Sequence, residues 1–133
     1  MNITAIDHIV LTVADMERTI AFYTQVLGMT LTAFGDNRKA LCFGQQKFNL
    51  HQKSNEILPN AKHANTGTID ICLLTDTPLA QVMAILQSHE IEILENGIVP
   101  RTGAVGKIHS VYCRDPDGNL VEISQYIDDE IDE

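Results

Sequence analysis

Residues 6–13 read IDHIVLTV, and roughly 60 positions later residues 68–75 read TIDICLLT. Both stretches are rich in β-branched and other apolar residues, a composition that is typical of strands. Each is followed by apolar residues three and four positions apart, at 15–27 and at 78–88, and this spacing predicts a helix. Three more strand-like runs follow each helix. The sequence therefore predicts a duplicated βαβββ module and an α+β fold.

Local signals set the expected boundaries of the two modules. Asp15 is placed to cap the first helix, Gly28 to end it, and Pro78 to occupy the first position of the second helix. The other predicted strands are 30–34, 39–43 and 47–52 in the first module, and 91–94, 107–113 and 120–126 in the second. The turn Asp115-Pro116-Asp117-Gly118 makes the last two strands a hairpin. We expect one domain over residues 1–133, with modules at 4–53 and 67–126, a linker at 54–66 and an acidic tail at 127–133. The segment 96–106, which holds three glycines and a proline, is either an ordinary connection or a lid.

Each module offers one helix for one face of a small sheet, so the other face needs a different partner. We expect the two modules to form a curved mixed sheet around a cleft. Metal-capable side chains occupy matching places in the modules, with His8 and Asp70 on the leading strands and His51 and Glu122 on the closing strands. A lone carboxylate in an apolar strand is costly to bury without a cation. This pattern predicts a metal-centred pocket between the modules, although each residue taken singly also fits a purely structural role.

Composition excludes several classes of function. A chain of 133 residues has room for one domain, and no apolar run reaches the length of about 18 residues that a membrane span needs. The net charge of −9 argues against a nucleic-acid partner, although five of the acids lie in the last six positions. The three cysteines have no CxxC spacing, and the N-terminus has no signal-peptide pattern. We therefore expect a cytoplasmic protein with free thiols and with neither nucleic-acid nor membrane partners.

Three stretches resemble the vicinal oxygen chelate superfamily, whose members include glyoxalase I, extradiol dioxygenases, methylmalonyl-CoA epimerase and fosfomycin-resistance proteins. They read IDHIVLTVAD at 6–15, AFYTQVLGM at 21–29 and VYCRDPDGNLVEI at 111–123. Shorter stretches, RKALCFG at 38–44, KFNLH at 47–51 and PRTGA at 100–104, are similar to an uncharacterised subgroup of glyoxalase-domain proteins. The resemblance covers nearly the whole chain and implies the glyoxalase-like form of the predicted fold.

The resemblance also implies one divalent metal ion, held by the first and fourth strands of each module. His8 and Glu122 match the family's motif directly. Asp70 stands where the family usually has histidine. On the fourth strand of the first module a gapless match gives Asn49, and His51 lies two residues further on the same face. We assign His8, His51, Asp70 and Glu122 to the metal, which is Zn, Ni, Fe, Mn or Co, and leave open whether Asn49 is the ligand instead of His51.

Three functions remain open from the sequence. The first is a glyoxalase I-like lyase or isomerase, in which the metal stabilises an enediolate of a small oxygenated substrate and Glu122 or Asp70 moves a proton. The second is a non-haem iron dioxygenase with His8, His51 and Glu122 on the iron. The third is a binder of small molecules or antibiotics without turnover. No obvious Arg and Lys cluster marks a glutathione site.

The expected substrate contacts are Asn49, Arg101 and Tyr112, of which Arg101 is suited to an anionic group. Small members of this superfamily commonly pair, so we also expect a homodimer.

Overall fold

The computed structural model describes residues 1–128, which divide into two compact units. The first unit comprises Met1–Thr68 together with Pro116–Gly118, and the second comprises Ile69–Asp115 together with the chain from Asn119 onward. Most of the acidic tail predicted at 127–133 lies outside the described residues, since the description ends at Asp128.

The first unit contains one helix and a four-stranded sheet. Its elements are β1 (His8–Val13), α1 (Met16–Ala21, continued by a π-helical turn at Phe22–Val26), β2 (Thr30–Phe34), β3 (Arg38–Phe43) and β4 (Gln46–Gln52). The strand order is β1-β4-β3-β2, in which β1 and β4 run parallel and the other pairs run antiparallel. The four predicted strands are therefore present, with shifts of one or two residues at some ends.

The predicted helix signals act as expected in the first unit. The Asp15 carboxylate accepts a hydrogen bond from the Arg18 N–H at 3.2 Å, and Gly28 follows the helix with a φ of +76°. The ring of Tyr23 meets the ring of Phe48 edge-on, with centroids 5.7 Å apart. This contact lies on the apolar face of the sheet, where Leu11, Val13, Leu41, Phe48 and Leu50 are buried. The opposite face therefore carries the polar side chains of β1 and β4.

The second unit repeats the arrangement. Its elements are β5 (Asp70–Leu74), α2 (Leu79–Ser88), β6 (Val99–Thr102), β7 (Lys107–Arg114) and β8 (Leu120–Tyr126), and the strand order is β5-β8-β7-β6. The parallel pair β5–β8 matches β1–β4, and β7 and β8 form the predicted hairpin. The structure confirms the α+β class with two βαβββ modules. It consists of two four-stranded mixed sheets, one in each unit.

The prediction of a strand at 91–94 is wrong. That segment forms no strand, and the second strand of the module is β6, which lies within the segment 96–106 that was predicted to be a connection or a lid. Pro100 in β6 pairs with His109 at the edge of the sheet, where a residue without an N–H is tolerated. The three apolar residues around Glu92 at 91–94 imitate a strand, whereas Pro100 and the nearby glycines conceal the true one.

The segment that remains a loop is short. It joins β6 to β7 and is closed by the Gly103 N–H donating to the Gly106 carbonyl at 2.7 Å. Among the described residues, no helix is both long enough and apolar enough to cross a membrane.

Candidate functional site

A cavity of about 480 Å³ opens on the polar face of the sheet in the second unit. Its wall includes side chains from all four strands and from the β6–β7 loop. Those that matter for chemistry are Cys72, Arg101, Gly103, Tyr112, Glu122 and Tyr126. The predicted site residues Arg101, Tyr112 and Glu122 therefore line one cavity. Its volume falls in the range of small-molecule sites.

Glu122 is held in place by two buried hydroxyl groups. It lies in the middle of β8, with Cys72 opposite it on β5 and Tyr112 opposite it on β7. The Ser110 hydroxyl donates to Glu122 Oε2 at 2.5 Å and lies 2.7 Å from the Ser124 hydroxyl. Both serines are fully buried, whereas Glu122 is half-buried and reaches the cavity. The carboxylate is therefore hydrogen-bonded on its buried side and accessible from the cavity.

Tyr112 connects Glu122 to Arg101. Its hydroxyl accepts a hydrogen bond from Arg101 Nε at 3.1 Å, and Tyr112 lies directly opposite Glu122 in the β7–β8 pair. The guanidinium carbon of Arg101 lies 5.3 Å from the centre of the Tyr112 ring. Burial is the main cause that raises the pKa of Tyr112, and the charge of Glu122 adds to it, while the hydrogen bond from Arg101 opposes the change. The phenol therefore stays protonated at neutral pH and can donate to Glu122.

Tyr126 and Gly103 shape the outer part of the cavity. The Tyr126 hydroxyl accepts a hydrogen bond from the Val105 N–H at 3.2 Å. A β-carbon built on Gly103 would lie 2.8 Å from that hydroxyl and 3.0 Å from a methyl group of Ile108. Glycine is therefore the residue that lets the β6–β7 loop pack directly on the Tyr126 ring.

The sequence did not single out Ser110, Ser124, Tyr126 or Gly103 as site residues. The alternation of side chains along a strand is a signal that could have found the first three, because Ser110 lies two residues from Tyr112, and Ser124 and Tyr126 lie two and four residues from Glu122.

The strand register shows which positions of the two units are equivalent. In the second unit Asp70 is level with Leu120, and Glu122 lies two residues further along β8. In the first unit His8 is level with Lys47, and Asn49 lies two residues further along β4. Asn49 is therefore the counterpart of Glu122, as the gapless match implied. His51, four residues beyond Lys47, is about 13 Å along the strand from the level of His8.

The polar residues of the first unit have distinct surroundings. Asn49 and His51 are only 5% and 4% exposed, and Asn49 Oδ1 and both ring nitrogens of His51 lack hydrogen-bond partners among the described residues. Burial lowers the pKa of His51, the positive charge of Arg38 lowers it further, and Glu56 opposes the change. His8 is more exposed, and its Nδ1 donates to the Asp7 carboxylate at 2.8 Å, which leaves Nε2 free.

These donors fit a divalent ion chemically. A carboxylate on one nitrogen of an imidazole is the usual support for a metal-binding histidine, and Asp7 provides it for His8. Asn49 offers an unpartnered carbonyl oxygen, and Glu122 offers a carboxylate oriented by Ser110. Within residues 1–128, no three His, Cys, Asp or Glu side chains form a group suited to a metal ion. The ligand set therefore stays a prediction.

Asp70 lies at the start of β5 and is exposed, and it is not among the residues that line the cavity. Its predicted roles in metal binding and catalysis stay predictions.

Comparison with known proteins gives relatives over nearly the full chain. Virulence protein STM3117 of Salmonella typhimurium is 52% identical over 127 residues, which cover 96% of this chain and 88% of that protein. Its crystal structure superimposes with a TM-score of 0.93. Glyoxalase domain-containing protein RDO1 of Mycosarcoma maydis is 48% identical over 128 residues, covering 96% and 72% of the two chains.

A more distant structure shares the fold alone. Lactoylglutathione lyase from Agrobacterium tumefaciens is 24% identical and superimposes with a TM-score of 0.69 over 92% of this chain and 94% of that one. The sequence profile of the Glyoxalase/Bleomycin resistance protein/Dioxygenase superfamily matches residues 5–123. The profile match, the two βαβββ modules and the relatives agree, and the chain therefore belongs to the glyoxalase/bleomycin resistance protein/dioxygenase superfamily.

Proposed function

We propose that the protein is a glyoxalase-like lyase or isomerase that moves a proton on a small oxygenated substrate bound in the cavity of the second unit. The observation that carries the proposal is Glu122, a carboxylate that faces the cavity and is held from behind by Ser110 at 2.5 Å. A carboxylate fixed in this way is positioned to act as a general base. Asp70, which does not line the cavity, is the weaker candidate for this role.

In the proposed reaction Glu122 takes a proton from a carbon that carries a hydroxyl group and lies next to a carbonyl or carboxylate group. The bonding pair left on that carbon becomes part of an enediolate. Return of the proton to the neighbouring carbon, with transfer of the hydroxyl proton to the other oxygen, gives an isomer, whereas return to the same carbon gives exchange with solvent. The Tyr112 hydroxyl lies beside Glu122 and can donate to the developing oxyanion. The reaction therefore needs no redox partner, and its product is an isomer of the substrate.

A divalent metal is part of this proposal. The residues that we propose as ligands are His8 and Asn49 in the first unit, and Asp70 and Glu122 in the second unit. When bound, such an ion supplies Lewis-acid stabilisation of negative charge on two neighbouring oxygens. Asn49 takes the place that we first gave to His51, because the register makes Asn49 the counterpart of Glu122.

The test is exchange of carbon-bound hydrogen with solvent. Candidate hydroxyketones, 2-hydroxy acids and thiol adducts of 2-oxoaldehydes would be incubated in D₂O with metal-supplemented protein and followed by NMR. We expect Glu122→Gln to lower the exchange rate by about 100-fold or more. Glu92→Gln changes an exposed carboxylate away from the cavity and is the matched control. Exchange that persists unchanged in Glu122→Gln refutes the role of Glu122.

Elemental analysis of the purified protein, and of its His8→Ala and Asn49→Ala forms, tests the metal separately. The expected result is about one divalent ion per site in the parent protein and less in both variants.

A second candidate is a binder without turnover. Two tyrosines, Tyr112 and Tyr126, line the cavity, and aromatic walls suit retention of a small organic ligand. Saturable binding without proton exchange would support this function. The dioxygenase hypothesis receives less support, because the register separates His8 from His51 by about 13 Å of strand. Oxygen uptake that depends on Fe²⁺ would revive it. A homodimer and a cytoplasmic location also stay predictions, which sedimentation analysis and cell fractionation would test.

A further inference from the structure

Arg101 brings a positive charge to the wall of the cavity in the second unit. Its Nε donates to the Tyr112 hydroxyl and one terminal nitrogen donates to the Pro100 carbonyl at 2.9 Å. Within residues 1–128, no carboxylate lies within 4.0 Å of its guanidinium nitrogens. The guanidinium is stacked on the Tyr112 ring and exposed, so it keeps donors available. A fixed guanidinium with free donors is the preferred partner of a carboxylate or a phosphonate.

The cavity brings this charge and the general base together. Arg101 Nε is 3.1 Å from the Tyr112 hydroxyl, and Tyr112 lies opposite Glu122 in the β7–β8 pair. Both Arg101 and Glu122 line the cavity. An oxyanion held by Arg101 and a carbon within reach of Glu122 can therefore belong to one small substrate.

We propose that the substrate is a short oxyanion in which one carbon carries the anionic group, an oxygen and the proton that is removed, and that Arg101 selects it. Short 2-hydroxy acids and 1-hydroxyphosphonates share this chemistry. This inference rests on the proposed function for its proton-transfer step. The proton moves from that carbon to Glu122, and a proton returns to the same carbon from the same face, so the atoms balance and the step is measured as exchange of the carbon-bound hydrogen with solvent.

The position of Arg101 also explains how an anion is accepted near a carboxylate. A second negative group close to Glu122 is repelled unless a cation lies nearby. Arg101 and the Tyr112 hydroxyl are the groups of the cavity wall that offset this repulsion. Removing the charge of Arg101 should therefore weaken the binding of anions and leave that of neutral analogues almost unchanged.

The test measures binding without turnover. Lactate and 1-hydroxyethylphosphonate are the anionic probes, and lactamide is a neutral probe of nearly the same shape. Each is titrated by calorimetry or by NMR shifts into the parent protein, Arg101→Gln and Arg38→Gln. Arg38 is the matched control, because it is also an arginine stacked on an aromatic ring, 4.8 Å from the centre of Phe34 in the first unit.

We expect at least one anionic probe to bind the parent protein tenfold or more tightly than lactamide does. Arg101→Gln should lose at least tenfold in affinity for that anion and less than twofold for lactamide, while Arg38→Gln keeps both affinities. Arg101→Lys, which keeps the charge, should recover part of the loss. The relative affinities of lactate and the phosphonate decide which oxyanion the site prefers.

Equal binding of anions and lactamide, or an equal loss in Arg101→Gln and Arg38→Gln, overturns the inference. The proposed function fails separately. If anions bind through Arg101 but no probe exchanges its carbon-bound hydrogen, the binding inference stands and the isomerase does not. If neutral hydroxyketones exchange in a manner that depends on Glu122 while anions do not bind, the isomerase stands and the choice of substrate is wrong.

Discussion

Ser110→Ala should weaken both the fold and the site, because it removes the hydroxyl that holds Glu122. Ser110 is fully buried, donates to Glu122 Oε2 at 2.5 Å and lies 2.7 Å from the Ser124 hydroxyl. A hydrogen bond to a charged group contributes about 1.5–3 kcal/mol to stability. Glu122 is half-buried, so solvent can replace part of that contribution. We expect the free energy of unfolding to fall by about 2 kcal/mol.

Urea unfolding of the parent protein and the variant measures this difference. Ser88→Ala is the control, since the Ser88 hydroxyl donates to the Ile85 carbonyl at an exposed helix end and its loss should cost less than about 0.5 kcal/mol. The pairwise contribution comes from a double-mutant cycle with Glu122→Gln. If Ser110 acts on the carboxylate, its removal should cost about 1 kcal/mol less when residue 122 is the neutral amide.

Two results would contradict this reasoning. Equal losses of stability in Ser110→Ala and Ser88→Ala would mean that the buried hydrogen bond contributes nothing beyond an exposed one. Alternatively, the effects of Ser110→Ala and Glu122→Gln could simply add, which would show that the hydroxyl and the carboxylate are energetically independent.

Three further predictions test the loop, the backbone and the thiols. Gly103→Ala should lower ligand affinity several-fold, whereas Gly106→Ala should not. The new methyl group would lie 2.8 Å from the Tyr126 hydroxyl at position 103, but 3.7 Å from a carbon of the Tyr126 ring at position 106. Ligand titration of both variants measures the difference. Gly67→Ala should lower the free energy of unfolding by clearly more than the roughly 1 kcal/mol expected for Gly28→Ala. Both glycines have a positive φ, but only at Gly67 would the new methyl group lie 2.6 Å from a backbone oxygen. Equal losses for the two variants in urea unfolding would contradict this explanation. Burial raises the pKa of Cys113 to about 11, so roughly one thiol in a thousand is ionised at pH 8. Because Cys113 is also fully buried, mass spectrometry after alkylation at pH 8 should find it unlabelled in the folded protein and labelled after unfolding.

Local sequence signals predicted most of the fold correctly. β2 and β8 have the predicted bounds, the Asp15 cap is present, and the turn after Arg114 does join two antiparallel strands. These features depend on interactions between residues close in the chain, which sequence patterns report directly. β6 was missed because an edge strand tolerates proline, so its sequence has the composition of a loop.

The candidate site was predicted only in part. Glu122, Arg101 and Tyr112 were identified from the sequence, and the structure places all three in one cavity. Ser110 was not predicted to support Glu122, because the two residues are far apart in sequence and meet only through pairing of β7 with β8. The metal ligands stay predictions.

The sequence by itself determined that two βαβββ modules form, because periodicity and turn chemistry are properties of neighbouring residues. Only the tertiary structure decided which side chains share the polar face of each sheet and at what level, since one residue of register moves every side chain to the other face. That is why two features follow from strand pairing and not from any motif: the equivalence of Asn49 with Glu122, and the placement of Tyr112 between Glu122 and Arg101.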